Sequence, residues 1–175
     1  AGAAPQAGTE ALFQEARRLF DALDYERAVP ALDQAITAFE AAPADAVRNE
    51  RLSAAFEMRA RSKFGLGDQD GARADFVQLL RLAPGHALSG QVSPRVVALF
   101  EEVARDTVTN LTITLAPATA TVFLDGVALP GAGTVRVAVG EHVVSAEQPG
   151  YRPGRETITA VAGTPAEVTL TLERV

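Results

Sequence analysis

A change of hydrophobic period near Asn110 divides this chain into two parts. Up to that residue, apolar side chains recur every three to four positions, as on one face of a helix. After it, they alternate with threonines and charged residues, as in a half-buried strand. The two patterns predict a two-domain α + β protein, with an all-α domain over residues 9–110 and an all-β domain over residues 111–175. The small-residue tract at residues 1–8 is predicted to be disordered.

Composition narrows the classes of partner. With 175 residues, of which 47% are hydrophobic, the chain is long enough to bury a core. The sequence has 12 basic and 16 acidic residues up to Asn110, and 4 basic and 6 acidic residues after it. Because the arginines are interspersed with carboxylates, they do not form the clustered basic surface that binds nucleic acid. Nucleic acid is therefore not an expected partner.

The sequence also bears on redox chemistry and on location. It has no cysteine, which excludes disulfides, thiol catalysis and the common zinc clusters. No stretch approaches the roughly 20 apolar residues that span a bilayer, so no transmembrane segment is expected. The opening tract, Ala1 to Gly8, is typical of what remains after a secretory signal peptide is removed. We therefore expect an exported protein.

In the helical half, apolar stripes predict two helical hairpins followed by one more helix. Thr9 and Asp24 are predicted caps of the first hairpin, and Pro30 is tolerated near the start of its second helix. The inward stripe of the first helix is predicted to be Leu12, Ala16, Leu19, Phe20 and Leu23. A longer helix is predicted from near Asp45, and Ser93-Pro94 predicts the start of a final capping helix. The order of small and large residues returns 44 positions later, in the pairs Ala16/Ala60, Phe20/Phe64, Asp24/Asp68 and Ala28/Ala72. Such an offset marks an internal repeat, because each hairpin needs a neighbour to bury its open face.

With these small residues and turns, and with Pro84 after the second unit, the helical half resembles the tetratricopeptide repeat. Its period departs from the family's roughly 34 residues, a difference assigned to the longer helix after Asp45. The resemblance implies that the first helix of each unit lines a concave surface that binds a protein or peptide partner. The candidate partner-binding residues are Phe13, Arg17, Phe20, Glu57, Arg61 and Phe64.

Two interpretations of those residues remain open from the sequence. The repeat-related arginines, Arg17 and Arg61, beside the rings of Phe20 and Phe64, would hold an extended peptide. Alternatively, the two phenylalanines belong to the core and the arginines are solvated ends of ordinary helices.

In the second half, alternating segments separated by turns predict strands. They are Leu111 to Leu115, Thr121 to Leu124, Thr134 to Val139, His142 to Glu147, Glu156 to Val161 and Glu167 to Glu173. Asp125-Gly126 suits a two-residue hairpin, because glycine tolerates positive φ. Six short antiparallel strands predict a small β-sandwich.

This half resembles the PEGA domain over Leu111 to Val175. The likeness is carried by Pro117-Ala118-Thr119-Ala120 at the naming tetrapeptide, Val122 to Gly126, Gly140-Glu141-His142 and Gly150-Tyr151. Ala118 and Thr119 depart from the Glu and Gly of the family name. The resemblance implies a non-catalytic interaction module, often found beside tetratricopeptide repeats in bacterial envelope and surface proteins. It therefore implies a location in the periplasm or at the cell surface of a bacterium.

Neither half carries a recognisable catalytic pattern. The G-x-S-x-G, H-E-x-x-H, P-loop and G-x-G-x-x-G motifs are all missing from the sequence. Asp125 and Glu141 would make a glycosidase pair only if they approached one another, and both lie at turns where acidic residues are common. For His142 a structural role is favoured, since the other histidine, His86, lies in the helical half. We expect no enzyme activity, no metal and no cofactor.

Two functional hypotheses follow. The first is a protein-protein interaction scaffold of a bacterial envelope, which binds a partner through the concave helical face. The second is a surface module whose sandwich binds glycan or peptidoglycan. Sugar recognition usually uses exposed aromatic rings, and the strand half offers only Phe123 and Tyr151. This shortage favours the first hypothesis.

Overall fold

The structure is a computed structural model that describes the backbone of residues 3–175 and the side chains of residues 8–175. In that part of the chain, five helices precede seven strands, which confirms the predicted α plus β layout. Contacts within the chain divide it into a helical unit up to Ala104 and a strand unit from Arg105. The predicted boundary, after Asn110, lies inside a strand that begins at Val108. Residues 1 and 2 of the predicted disordered tract lie outside the described residues, and residues 3–8 belong to the first helix.

Apart from the first, the helices begin directly after residues that cap them. They are α1 (Ala3–Asp21), α2 (Tyr25–Ala41), α3 (Ala46–Gly65), α4 (Gln69–Leu82) and α5 (Pro94–Thr107). The side chains of Asp24, Asp45 and Asp68 each accept a hydrogen bond from a backbone N–H in the first turn of the following helix. Helix α2 continues through Pro30, as expected for a proline in the first turns. The prediction that Thr9 caps α1 is wrong, because α1 begins at Ala3 and Thr9 lies within it.

The hairpins α1–α2 and α3–α4 close with the same turn. Leu23 and Gly67, 44 residues apart, both adopt a left-handed backbone with φ of 61° and 86°. After each of them comes a capping aspartate whose N–H donates back into the preceding helix, from Asp24 to Leu19 O and from Asp68 to Lys63 O. The repeated alanines 16, 28, 60 and 72 are all fully buried. The 44-residue offset predicted from the sequence is thus present in the turns and in the buried alanines of the structure.

The inward face of α1 differs from the predicted stripe. Leu12 and Leu23 are 36% and 70% exposed, whereas Phe13 is fully buried. The ring of Phe13 packs edge-on against Phe39 of α2, with centroids 6.0 Å apart. Phe13 therefore takes the inward position that the predicted stripe gave to Leu12. Helix α5 packs on α4 through an edge contact between Phe76 and Phe100 at 5.3 Å.

The strand unit consists of two sheets. Its strands are β1 (Val108–Ala116), β2 (Thr121–Leu124), β3 (Val127–Ala128), β4 (Gly133–Ala138), β5 (Gly140–Glu147), β6 (Gly154–Ala160) and β7 (Ala166–Thr171). One sheet has the order β4-β1-β7 and the other β3-β2-β5-β6. The predicted Asp125-Gly126 turn joins β2 to β3.

The prediction of six antiparallel strands is wrong in two respects. The structure adds the two-residue strand β3, and β7 pairs with β1 in parallel. The parallel pair arises because the segment after β6 crosses to the other sheet, where β7 covers the free edge of β1. The inner faces share one core, formed by Leu111, Ile113, Leu115, Ala120, Val122, Val137, Val144, Ala146, Ala160, Val168, Leu170 and Leu172.

Among residues 3–175, no helix combines the length and the apolar character that crossing a membrane requires.

Candidate functional site

The helical unit contains a cavity of about 670 Å³ between α1, α3 and the loop that joins α4 to α5. We call residues 86–91 of that loop the strap. The cavity is lined by Phe13, Arg17, Phe20, Asp21, Glu50, Arg51, Ser53, Ala54, Glu57, Met58, Arg61, His86, Ser89 and Gly90. Its volume is within the range of sites that take up ligands or peptide side chains.

Glu57 of α3 is the most buried charged group of this cavity, with 3% of its side chain exposed. Its Oε1 accepts from His86 Nε2 at 2.8 Å and from the N–H of Ser89 at 3.2 Å. Its Oε2 accepts from the Ser89 hydroxyl at 2.9 Å and from Arg61 at 3.0 Å. Burial raises the pKa of Glu57, but these hydrogen bonds outweigh burial and leave the pKa lowered. Glu57 is therefore an ionised anchor for the strap.

Arg61, one turn further along α3, holds the backbone of the strap. Its guanidinium donates to the carbonyl oxygens of Ser89 at 3.1 Å and Gln91 at 3.2 Å. It also lies 5.1 Å from the centroid of the Phe20 ring on α1. The strap has no helix or strand of its own, so side chains of α3 satisfy polar backbone groups that regular structure would otherwise pair.

The charged residues at the rim of the cavity form fewer hydrogen bonds and ion pairs than Glu57 and Arg61 do. Arg17 is exposed and its side chain has no hydrogen bond or ion pair within the part of the chain that the structure describes. Arg51 lies 5.0 Å from the centroid of the Phe13 ring and forms an ion pair with Glu10 at 2.9 Å. Arg17 is thus the cation best placed to bind a carboxylate of another molecule.

Five of the six predicted partner-binding residues line this one cavity: Phe13, Arg17, Phe20, Glu57 and Arg61. Phe13 forms part of its wall and is fully buried. The sixth residue, Phe64, is half-buried and lies outside the lining. Phe20 of α1 lies beside Arg61 of the next hairpin. Among the described residues, Phe64 has no equivalent neighbour, because the strap and α5 follow its hairpin instead of a third hairpin.

The contribution of the strap is not apparent from the sequence. His86 and Ser89 follow Pro84-Gly85 in a segment that is typical of a loop, and a loop pattern does not indicate which helix it will contact. The sequence did show Glu57 and Arg61 four residues apart on one helical face. Pairing at that spacing is the signal from which a polar cluster on α3 could have been predicted.

The arrangement of Ser89, His86 and Glu57 differs from that of a catalytic triad. In a triad, the hydroxyl contacts the imidazole, and the imidazole contacts the carboxylate. Here the hydroxyl and the imidazole both contact the carboxylate. A carboxylate with a lowered pKa is also a weak general base. Within the described chain, no group of three or more potential metal ligands is brought together.

A second polar cluster lies in the strand unit and joins the β2–β3 turn to β5. Nδ1 of His142 lies 2.6 Å from Asp125 Oδ2, and its Nε2 lies beside the carbonyl oxygen of Ala138. The N–H of Val143 donates to Asp125 Oδ1 at 2.8 Å. Because both ring nitrogens face acceptors, the doubly protonated ring satisfies this arrangement best. The cluster therefore has a structural role at the turn.

This cluster predicts a pH dependence of stability. Burial lowers the pKa of His142, but hydrogen bonds to Asp125 and Ala138 outweigh burial and raise the pKa above 6.5. The resulting stabilisation is fully present below the unfolded pKa and is lost as pH rises through the folded pKa. For Asp125, burial raises the pKa, but hydrogen bonds from His142 and Val143 lower it below 3.8, so its stabilisation is lost at acidic pH.

We therefore expect the strand unit to be most stable between about pH 4 and pH 6.5. Urea unfolding of the full chain, followed by the NMR signals of β5, measures this at several pH values. A His142→Gln variant should lose the decline above pH 6.5. An equal decline in the variant would contradict the assignment to His142.

Comparison with known families gives one match. A family model for the PEGA domain matches residues 108–175. This match confirms the resemblance that the sequence showed over Leu111–Val175, and it covers all seven strands. No curated protein matches the chain. The resemblance of the helical half to tetratricopeptide repeats stays a prediction.

Proposed function

We propose that this protein is a non-catalytic protein-protein interaction scaffold of a bacterial envelope, in which a tetratricopeptide-like helical unit binds its partner. The observation that carries the proposal is the cavity between α1 and α3. It brings together Arg17 and Arg61, the repeat-related arginines, with the ring of Phe20 between the two helices. Mixed charges beside an aromatic ring suit an extended peptide that presents both polar and apolar groups.

Three further observations support the proposal. The repeated turns at Leu23 and Gly67 fit a helical-repeat array, whose stacked hairpins commonly bind proteins. The PEGA match over residues 108–175 agrees with an envelope or surface location of a bacterial protein, in the periplasm or outside the cell. Burial raises the pKa of Glu57, but its hydrogen bonds outweigh burial and leave the pKa lowered, which favours a binding role for this cluster over catalysis.

The glycan-binding alternative is weaker. Phe123 is half-buried, and Arg174 lies over the ring of Tyr151 at 5.9 Å from its centroid. One face of the Tyr151 ring is thus already occupied by a guanidinium, which reduces its use as a stacking surface for sugar.

The test compares two neighbouring arginines of α1. Arg17 lines the cavity, whereas Arg18 is exposed and forms an ion pair with Glu15 on the same helix. We expect Arg17→Glu to weaken the binding of an envelope partner at least about ten-fold, because it replaces the attractive charge with a repulsive one. Quantitative capture from the envelope fraction of the source organism measures this, with Arg18→Glu as the matched control. Capture that both variants reduce equally would contradict the proposed face.

A further inference from the structure

The strap is bound as a peptide would be. Three of its contacts with α3 use backbone groups, namely the N–H of Ser89 with Glu57 and the carbonyl oxygens of Ser89 and Gln91 with Arg61. The other two use the Ser89 hydroxyl and the His86 ring. Since backbone groups are common to all peptides, the same two side chains of α3 would hold an extended segment of another chain.

We propose that the strap is an internal occupant of the partner-binding groove, and that the partner displaces it with an extended segment of similar chemistry. This inference rests on the proposed function and adds the kind of partner. The strap contains no Asp, Glu, Lys or Arg, and its serine hydroxyl meets Glu57. The displacing segment is accordingly uncharged where it crosses Glu57 and Arg61, and it presents a hydroxyl to the carboxylate.

Displacement needs an interaction that the strap lacks. A short tethered segment competes at an effective concentration of the order of millimolar, so an identical free peptide binds the intact chain weakly. Arg17 supplies the difference, because it lines the same cavity and has no hydrogen-bonding or ionic partner among the described residues. A carboxylate beside the uncharged part of the segment would bind Arg17 with a charge-assisted hydrogen bond. The partner therefore combines a hydroxyl-bearing, uncharged stretch with a nearby acidic group.

The probe is a capped synthetic peptide that copies residues 84–93 of this chain. The receiving protein is the full chain with His86→Ala and Ser89→Pro, which removes the imidazole, the hydroxyl and one N–H of the strap and leaves α3 unchanged. We expect the peptide to bind this variant roughly ten-fold or more tightly than it binds the wild type. Anisotropy of a labelled peptide measures both affinities. Equal affinities, or absence of binding to the variant, would overturn the proposal.

A control peptide carrying Ser89→Pro should bind the variant roughly ten-fold more weakly, because it lacks both serine donors to Glu57. Unchanged affinity of that peptide would also overturn the proposal. Should the double variant fail to fold, hydrogen exchange of the wild type decides the question. Millimolar peptide should then accelerate exchange of the strap's Ser89 amide, and unaltered exchange would contradict displacement.

The two proposals fail separately. Peptide binding to the variant depends on Glu57 and Arg61, whereas capture of the envelope partner is tested at Arg17. Suppose that the peptide binds the double variant and that Arg17→Glu does not change capture of the envelope partner. The groove then recognises a segment like the strap, and the proposed partner face is wrong. If capture depends on Arg17 and the peptide does not bind, the strap is a structural loop.

Discussion

Replacement of Asp75 by alanine is expected to lower the free energy of unfolding of the helical unit by about 3–5 kcal/mol. Asp75 of α4 has 4% of its side chain exposed and accepts two hydrogen bonds from Arg59, at 3.0 Å and 2.7 Å. Lys63 Nζ lies 3.2 Å from the same carboxylate. The change would leave Arg59, itself 17% exposed, without its buried partner. Among the described residues, Arg59 would keep only the ion pair with Asp33, whose side chain is 53% exposed. A buried cation that loses its buried counter-charge strongly destabilises a folded protein.

Asp33 of α2 provides the matched control. It accepts a hydrogen bond of 2.8 Å from the same Arg59 guanidinium, but 53% of its side chain is exposed. We expect Asp33→Ala to change the free energy of unfolding by less than about 1 kcal/mol, because water screens an exposed pair. Urea unfolding followed by circular dichroism at a helix-sensitive wavelength compares the two variants. Similar losses would show that burial does not set the strength of these ion pairs.

The features that sequence analysis predicted are those encoded locally. An aspartate before an amphipathic stretch accepts from the first turn of the helix it precedes, and Asp24, Asp45 and Asp68 all do so. Ser93-Pro94 likewise starts α5. The strand positions also follow from alternation of neighbouring residues. In each case, the chemistry that decides the structure lies within a few positions.

The features that sequence analysis missed depend on distant partners. The Arg59–Asp75 pair joins residues of different helices, and the periodicity of each helix is compatible with either residue being solvated. The parallel β1–β7 pair depends on which sheet the chain enters after β6, and a hydrophobic pattern does not specify this. For the candidate site, the sequence placed Arg17 and Arg61 together through the repeat. It did not show that Arg61 is already engaged by Ser89 and Gln91 of the strap.

Glu57→Gln is expected to lower the free energy of unfolding of the helical unit by about 2–4 kcal/mol and to loosen the strap. The variant keeps the shape of the side chain, but it places an amide NH₂ where the carboxylate oxygen accepts hydrogen bonds. In the wild type, four donor groups of His86, Ser89 and Arg61 converge on the Glu57 carboxylate. An amide at this position would face some of those donors with a donor of its own, in a site that water scarcely reaches.

Two measurements separate the strap from the core in that variant. Chemical unfolding gives the global loss, and hydrogen exchange of the Ser89 amide should become about ten-fold faster or more if the strap opens independently. Glu50→Gln is the control, because Glu50 lines the same cavity from α3 but is exposed. We expect that change to stay within about 0.5 kcal/mol of the wild type. A global loss with unchanged exchange at Ser89 would mean that Glu57 stabilises the packing of α3 and does not hold the strap, because a strap tied to Glu57 must open when its acceptor is removed.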